Sequence, residues 1–597
     1  MKRRVSALAV LGIMLATVGA WLQTPSRTAP SSGLAALLPA GATLVLQAKD
    51  FGSLVRDWNA SSGKARWLES ANYQAFSRSR LFLRLEEAYG EFASAAGVPP
   101  DMALVSDVAG AESALALYDI GKLEFLYVTR LPSAKAMENA LWRTRGEYEP
   151  REAAGTPFYV RVDEESKRVV AFAARDGYLL LATREDLLAG ALTLIGGRSG
   201  PGGGAGGGTA VDSEGWFTQA VKAAGAPGDL RLVMHLDALV KAPHFRSYWI
   251  QGNVAELKAF SSAVSDLVRT PSDLRETRVL LRAQEPPAAA SASGSGGTGN
   301  AGNAASAATL GALTRLVPDT AGLYRAWASP SPEQATQLIV EKVVATSGAA
   351  AMRDRTAPRL SAGAGVTGSE ADLESRVDEE TPAPRPTSYD TAALAQLVGR
   401  ETLTGLLHVE STRPGGDGIF ITRGSVVVIA RGSDWPAGAA RDAVRAVVDP
   451  VWTKAHLGMR WVDVQAGTRA GTGAGAQTVS QLDGLETVIV AERGRLLFVA
   501  NDLALLGAVL DATSKPAASL DGVYAAGFRH AQERERFDRL TRFLDHAAAG
   551  AESHAPLFFS ENLSSLSETL SSVDSASIVV QDAGATVSQQ VTYRLRP

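Results

Sequence analysis

A block of strand, tight turn, strand and helix occurs twice in this chain, and that recurrence constrains the fold more than any other feature. Residues 169–192 read as strand, an Arg175-Asp176-Gly177 turn, a second strand over 178–183, then helix to Leu192. Residues 486–510 read the same way around Glu492-Arg493-Gly494, and Gly507-Ala508 stands to Gly494 as Gly190-Ala191 stands to Gly177. Three further matches keep the same order. Leu37-Leu38-Pro39 with Ala42 and Leu44 recurs as Leu316-Val317-Pro318 with Ala321 and Leu323. The segment 108–113 recurs as 397–402, and the Arg-flanked strand at 277–282 recurs at 591–596. One such match in an Ala/Leu/Gly-rich chain is chance; four in one order predict a duplication.

The shared element order predicts the fold class. Opening strands at 43–48 and 322–328 lead into helix. The spacing predicts a helix over 79–96 with Leu81, Leu85, Ala88 and Phe92 on one face. A hairpin follows at 114–119 and 123–130 around Gly121, with its counterpart expected at 418–422 and 425–431 around Gly424. Helices beginning at Pro132 and Pro436 come next, proline being suited to a helix start. A further hairpin joins 158–162 to 168–174 across 163–167. Alternation with glycine turns implies antiparallel pairing, so the expected class is α+β: two tandem related units of antiparallel sheet with helices packed on the sheet. Their expected bounds are 33–285 and 309–597. Four stretches are too poor in apolar residues to offset their ordering entropy and read as flexible: 196–208, the linker 286–308, an insertion near 346–388, and 467–477.

The first 32 residues have another character. Lys2, Arg3 and Arg4 precede eighteen uncharged residues at 5–22, longer than the usual apolar stretch of a cleaved signal and long enough to span a bilayer. Charge asymmetry places Met1 in the cytoplasm and the bulk of the chain outside. The expected location is the inner membrane, single-pass, with the chain extracytoplasmic or periplasmic. Secretion after cleavage before Trp21 is the alternative. The plan resembles a bacterial family of exported proteins known only as a domain of unknown function. The resemblance rests on this N-terminal segment, the opening 37–40 strand and blocks like 169–192, and it implies location without catalytic residues.

Composition excludes several chemistries. No cysteine is present, which removes disulfides, thiolate nucleophiles and Cys-ligated metals. A formal net charge of -4 with no basic stripe argues against nucleic acid. The glycines at 200–208 lead to Thr209 with no lysine, so no phosphate loop is formed. Ser61 and Lys64 have the spacing of a Ser-x-x-Lys nucleophile but lie in a capping or loop composition. The seven histidines show no metal-ligand spacing, and His235 reads as a satisfied, partly buried residue. Glu86-Glu87 and Glu164-Glu165 read as solvated acids on a helix and a hairpin tip. No catalytic residue, metal site or cofactor is therefore expected. The densest aromatic and cationic cluster is 243–249, which nominates Arg246, Tyr248 and Trp249 as a binding surface. The reading reached is a membrane-anchored scaffold or binding protein of the bacterial envelope, held by residues 5–22, with an envelope protein as possible partner. A carrier or chaperone for an apolar envelope ligand, held between sheet and helices, is the second reading, and a hydrolase without a recognisable motif the third.

Overall fold

The computed structural model describes residues 33–61, 64, 68–69, 73, 77–78, 80–199, 209–243, 257–270, 272–283, 300–344, 389–414, 421–452, 459–467, 477–484, 486–517, 519–530, 533 and 573–596. The expected anchor at 5–22 and the insertion near 346–388 lie outside them. Among the described residues no helix is long and apolar enough to cross a membrane. The chain is mixed helix and antiparallel sheet, and it divides into two compact units. The first comprises Met1–Glu285, Thr541–Ala576 and Asp582–Pro597; the second comprises Pro286–Leu540 and Ser577–Gln581. The expected second unit ran to residue 597. Instead the last strand belongs to the first unit, because nine residue pairs join it to strand 273–282.

In the first unit the strands are β1 (Leu44–Ala48), β2 (Ser113–Asp119), β3 (Glu124–Arg130), β4 (Glu149–Ala153), β5 (Thr156–Val162), β6 (Val169–Arg175), β7 (Tyr178–Ala182), β8 (Leu230–Met234), β9 (Phe260–Arg269) and β10 (Asp273–Arg282). All pair antiparallel, in the order β4-β5-β6-β7-β3-β2-β1-β8-β9-β10. In the second the strands are β11 (Leu323–Ala328), β12 (Leu403–Pro414), β13 (Ile421–Arg431), β14 (Arg460–Ala466), β15 (Gln477–Asp483), β16 (Val488–Arg493), β17 (Leu496–Ala500) and β18 (Tyr524–Phe528). Their order is β14-β15-β16-β17-β13-β12-β11-β18, again antiparallel throughout. Adding ten to the numbers of β1 to β8 gives the order in the second. β19 (Val573–Asp582) and β20 (Thr586–Leu595) close the chain, and β20 lies on β10.

The correspondence extends to single bonds. Thr43 N–H donates to Leu117 O at 2.8 Å and His235 N–H to Thr43 O at 2.9 Å; Gly322 N–H donates to Glu410 O and Arg529 N–H to Gly322 O, both at 2.9 Å. Phe125 N–H donates to Thr183 Oγ1 at 2.8 Å, and Ser425 N–H donates to Asn501 Oδ1 at 2.7 Å. The two glycine hairpins occupy the same place, but the glycine-to-glycine match is one residue off. Arg175 pairs with Tyr178 across Asp176-Gly177, and Arg493 pairs with Leu496 across Gly494-Arg495. The strands therefore correspond at 496 − 178 = 318 residues, whereas the glycines are 494 − 177 = 317 apart. Both turns need a positive φ, 77° at Gly177 and 54° at Gly494, and glycine meets that need at either central position.

Each sheet is covered on both faces. In the first unit Val45, Ala116, Leu126, Val128 and Leu180 pack against the Glu185–Ser199 and Gly215–Ala224 helices. The opposite face meets three helices: Phe51–Ala60, Arg80–Ala96 and Met102–Val108. Asp50 caps the first by accepting from Ser53 N–H at 2.8 Å, and Asp101 caps the third through Ala103 and Leu104 N–H.

Other expectations are corrected by particular residues. Gly424 is not a turn but the interior of β13, whose partner is β12. A Cβ there would meet the Asp502 carboxylate at 2.8 Å, so glycine marks a close approach. The helix expected from Pro132 to Arg145 breaks into short pieces at Ser133–Ala136 and Ala140–Arg143, because Asn139 caps the second by accepting from Trp142 N–H. The stretch 286–308 is not linker throughout: Asn300–Thr314 is a helix that buries Ala307 and Leu310. Likewise 196–199 continues the Glu185–Ser199 helix.

Candidate functional site

Between the three helices and the sheet of the first unit lies a cavity of about 220 Å³. Its floor is built by strand alternation, since residues two apart share a face. Three rungs follow from the register. Leu230, Ala48 and Ser113 form the first; Leu46, Leu115, Tyr127 and Leu181 the second; Leu44, Leu117 and Phe125 the third, with Thr183 beside Phe125. From Ser113 to Leu117 the floor runs about 13 Å at the usual strand rise. The roof comes from Phe51, from Leu85, Ala88, Tyr89 and Phe92 one turn apart, and from Leu104, Val105 and Val108. Phe51 stands edge-on to Tyr127 at 6.1 Å, and Phe92 stacks on Phe125 at 6.4 Å.

The lining is almost wholly apolar. Its hydroxyls at the first two rungs are bonded to protein: Ser113 Oγ and Thr129 Oγ1 are 2.6 Å apart, and Tyr127 OH donates to Val108 O at 3.1 Å. Burial pushes the Tyr127 hydroxyl up to about 12, so it stays a neutral donor. Yet Ala88, Tyr89, Val105, Leu115, Phe125 and Leu230 are only half-buried although they face the gap between packed elements. Close-packed interiors leave few voids larger than a water. A void of this size between layers that otherwise pack tightly is a candidate ligand site.

Beyond the third rung sits Arg168, the single charged residue among the described lining residues. Its Nε and Nη2 donate to Glu91 Oε2, and its Nη1 donates to Lys122 O at 2.7 Å. Arg84 approaches the other Glu91 oxygen at 3.5 Å and donates to Gly121 O.

The equivalent floor of the second unit is different. The bonds matched above set Leu323, Glu410, Ser425 and Asn501 against Leu44, Leu117, Phe125 and Thr183. The next rung holds Arg325, His408, Val427 and Val499 where the first unit has Leu46, Leu115, Tyr127 and Leu181. His408 Nε2 lies 2.8 Å from Ser425 Oγ and 3.4 Å from Glu410 Oε1. Burial, then the charges of Lys342, Arg325 and Arg423, push His408 down to about 3, so it is neutral at ordinary pH. Serine and carboxylate both address the same ring nitrogen and the serine is fully buried, so this is not a nucleophile relay.

Arg246, Tyr248 and Trp249 lie outside the described residues. Ser61 caps the Phe51–Ala60 helix: its Oγ donates to Trp58 O and accepts from Lys64 N–H, while Lys64 Nζ donates to Asn59 at 2.6 Å. The Ser-x-x-Lys spacing is thus a helix end, not a nucleophile with its base. His235 stacks on Trp216 with ring centroids 4.7 Å apart. Glu86-Glu87 and Glu164-Glu165 are exposed. Among the described residues no cluster of three or more metal-ligating side chains occurs. The amphipathic face with Leu85, Ala88 and Phe92 was visible in the sequence, but a cavity is a volume left between elements and has no local signal.

No family model matches the chain, so the resemblance drawn from the sequence stands on the quoted residues alone. No curated protein matches it either. Among solved structures it is similar to one described as the structure of crystal form I of TP0453, at 12% identity over 43% of this chain and 81% of that one, with a TM-score of 0.23. A likeness at that score carries no argument about fold or function.

Proposed function

We propose that this protein is a carrier for an apolar ligand in the bacterial envelope, held in the first unit and tethered by residues 5–22 to the inner membrane. The observation that carries the reading is the apolar cavity between β1, β2, β3 and the Arg80–Ala96 helix. It is larger than the ~150 Å³ apolar cavity that stays dry and takes up benzene. Water gains few hydrogen bonds from such walls, so an apolar molecule is the favoured occupant. On this reading the two units arose by duplication, supported by the repeated pairing order and matched backbone bonds. They then diverged: the first kept leucines on its floor, and the second acquired Arg325, His408, Glu410 and Ser425 at the corresponding rungs. No bond-making chemistry is assigned; the role is to bind and hold.

The test is a titration. The full chain, stripped of co-purifying apolar molecules over a hydrophobic resin, is titrated with saturated C8–C12 chains while its thermal unfolding is followed. Saturable binding with a rise in Tm supports the reading, because a ligand specific to the folded state at 100 times its Kd adds about 2.7 kcal/mol. Absence of binding across the series contradicts it.

A further inference from the structure

We infer that the ligand of this cavity is a single acyl or alkyl chain ending in an anion, with the anionic head at Arg168. The inference rests on the carrier reading above and adds the ligand's polarity and direction.

The cavity has unlike ends. At one end Ser113 and Thr129 of the first rung and the Tyr127 hydroxyl of the second satisfy one another and the Val108 carbonyl, so that end offers a ligand no free donor. The two rungs between are walled by leucine and by the rings of Tyr127 and Phe125. The far end, at the β2–β3 turn, holds Arg168. A guanidinium has five N–H groups. Three are used, two on Glu91 and one on Lys122 O. Two remain, one on Nη1 and one on Nη2, and a carboxylate or phosphate oxygen can accept from them.

Charge points the same way. Glu91 is shared between Arg168 and Arg84, so its one negative charge faces two guanidinium groups. Glu87 also pairs with Arg84, at 2.8 Å, but its side chain is 63% exposed and is well screened by solvent. The ion-paired set at the cavity end is therefore Arg84, Arg168 and Glu91, with one positive charge in excess; Asp119, half-buried on the same turn, accepts from the Gly121 and Lys122 N–H groups instead of from either guanidinium. A cationic head meets Arg168 first and is repelled. A neutral alcohol gains a hydrogen bond but leaves the excess charge unmatched. An anion satisfies both. The apolar floor of about 13 Å accepts the chain behind it. A free fatty acid and an alkyl phosphate share this chemistry and differ only in the head's size and charge.

The experiment compares dodecanoate, dodecyl phosphate, dodecanol and dodecylamine on the stripped full chain by calorimetric titration below their aggregation thresholds. The expected order has both anions binding roughly tenfold or more tighter than dodecanol, the span of one charge-assisted hydrogen bond, with the amine weakest. Arg168→Gln should bring the anions down to the alcohol's affinity and leave dodecanol unchanged. Glu91 retains Arg84 in that variant, and Arg84→Gln provides a second reduction of the positive charge should Arg168→Gln fold poorly. The unmodified chain alone already decides the matter. Equal binding of anion and alcohol, or preference for the amine, overturns the assignment of the head while the carrier reading stands. Binding by none of the four overturns the carrier reading itself. The stronger of the two anions identifies which source of the head is favoured.

Discussion

Ala88→Leu separates a real cavity from a packed core by the sign of its effect. Ala88 is half-buried on the Arg80–Ala96 helix, and its methyl faces the void. Leucine and alanine differ little in helix propensity, so the backbone contributes only tenths of a kcal/mol. A helical leucine leans toward the preceding turn, which here brings the added carbons over Leu85 and Leu123. Three carbons at about 0.8 kcal/mol each give about 2.4 kcal/mol when fully buried; at a half-buried position the gain is about 1–2 kcal/mol. For a unit of this size that raises Tm by roughly 2–8 °C. Urea unfolding of the ligand-free protein measures it, with C8–C12 binding measured in parallel. Stability should rise and binding should fall together. In a filled core the same substitution overpacks and costs about 1–3 kcal/mol. A loss of that size in the ligand-free variant refutes the reasoning.

Asp266→Ala should cost about 3–5 kcal/mol by urea unfolding, because it strands buried Arg231, which donates to Asp266 at 2.8 and 2.7 Å, and also leaves Gly228 N–H without its acceptor. His408 supplies a pH dependence. Its folded pKa of about 3 lies below the unfolded value of about 6.5, so the unfolded chain binds the proton more tightly and stability falls as pH drops through that window. The loss attributable to it is about 2 kcal/mol between pH 7 and pH 5, and a His408→Val variant should show a correspondingly flatter slope even if less stable overall. Deleting residues 586–597 uncovers the β10 edge that β20 pairs over nine residues, so the truncated chain should self-associate in light scattering where the full chain does not.

Much of the fold was legible because its signals are local. The 169–192 block fixed β6, β7 and the start of the following helix from alternation and one glycine turn, and 486–510 did the same for β16 and β17. Gly424 misled for a physical reason: a strand glycine that admits the Asp502 side chain has the same letter as a turn glycine. β4 (Glu-Pro-Arg-Glu-Ala) was invisible because an exposed edge strand needs no apolar face and tolerates proline. The swap of β20 onto β10 is a long-range pairing between two strands that looked alike in sequence, as partners on one sheet can. The site was legible only in part. Leu85, Ala88 and Phe92 were seen to share a helix face, yet whether that face meets the sheet or stands off from it depends on side-chain volumes contributed by distant elements.

The central claim is that an apolar chain occupies the space between the Arg80–Ala96 helix and β1, β2 and β3. The most direct measurement is photolabelling of the full chain with a fatty acid bearing a diazirine near its methyl end, followed by peptide mapping. The account predicts label within 46–51, 104–108 and 113–115 and on Tyr127, where the cavity is lined away from Arg168, and competition by unlabelled dodecanoate. Label confined to other segments, or label that dodecanoate does not displace, contradicts it.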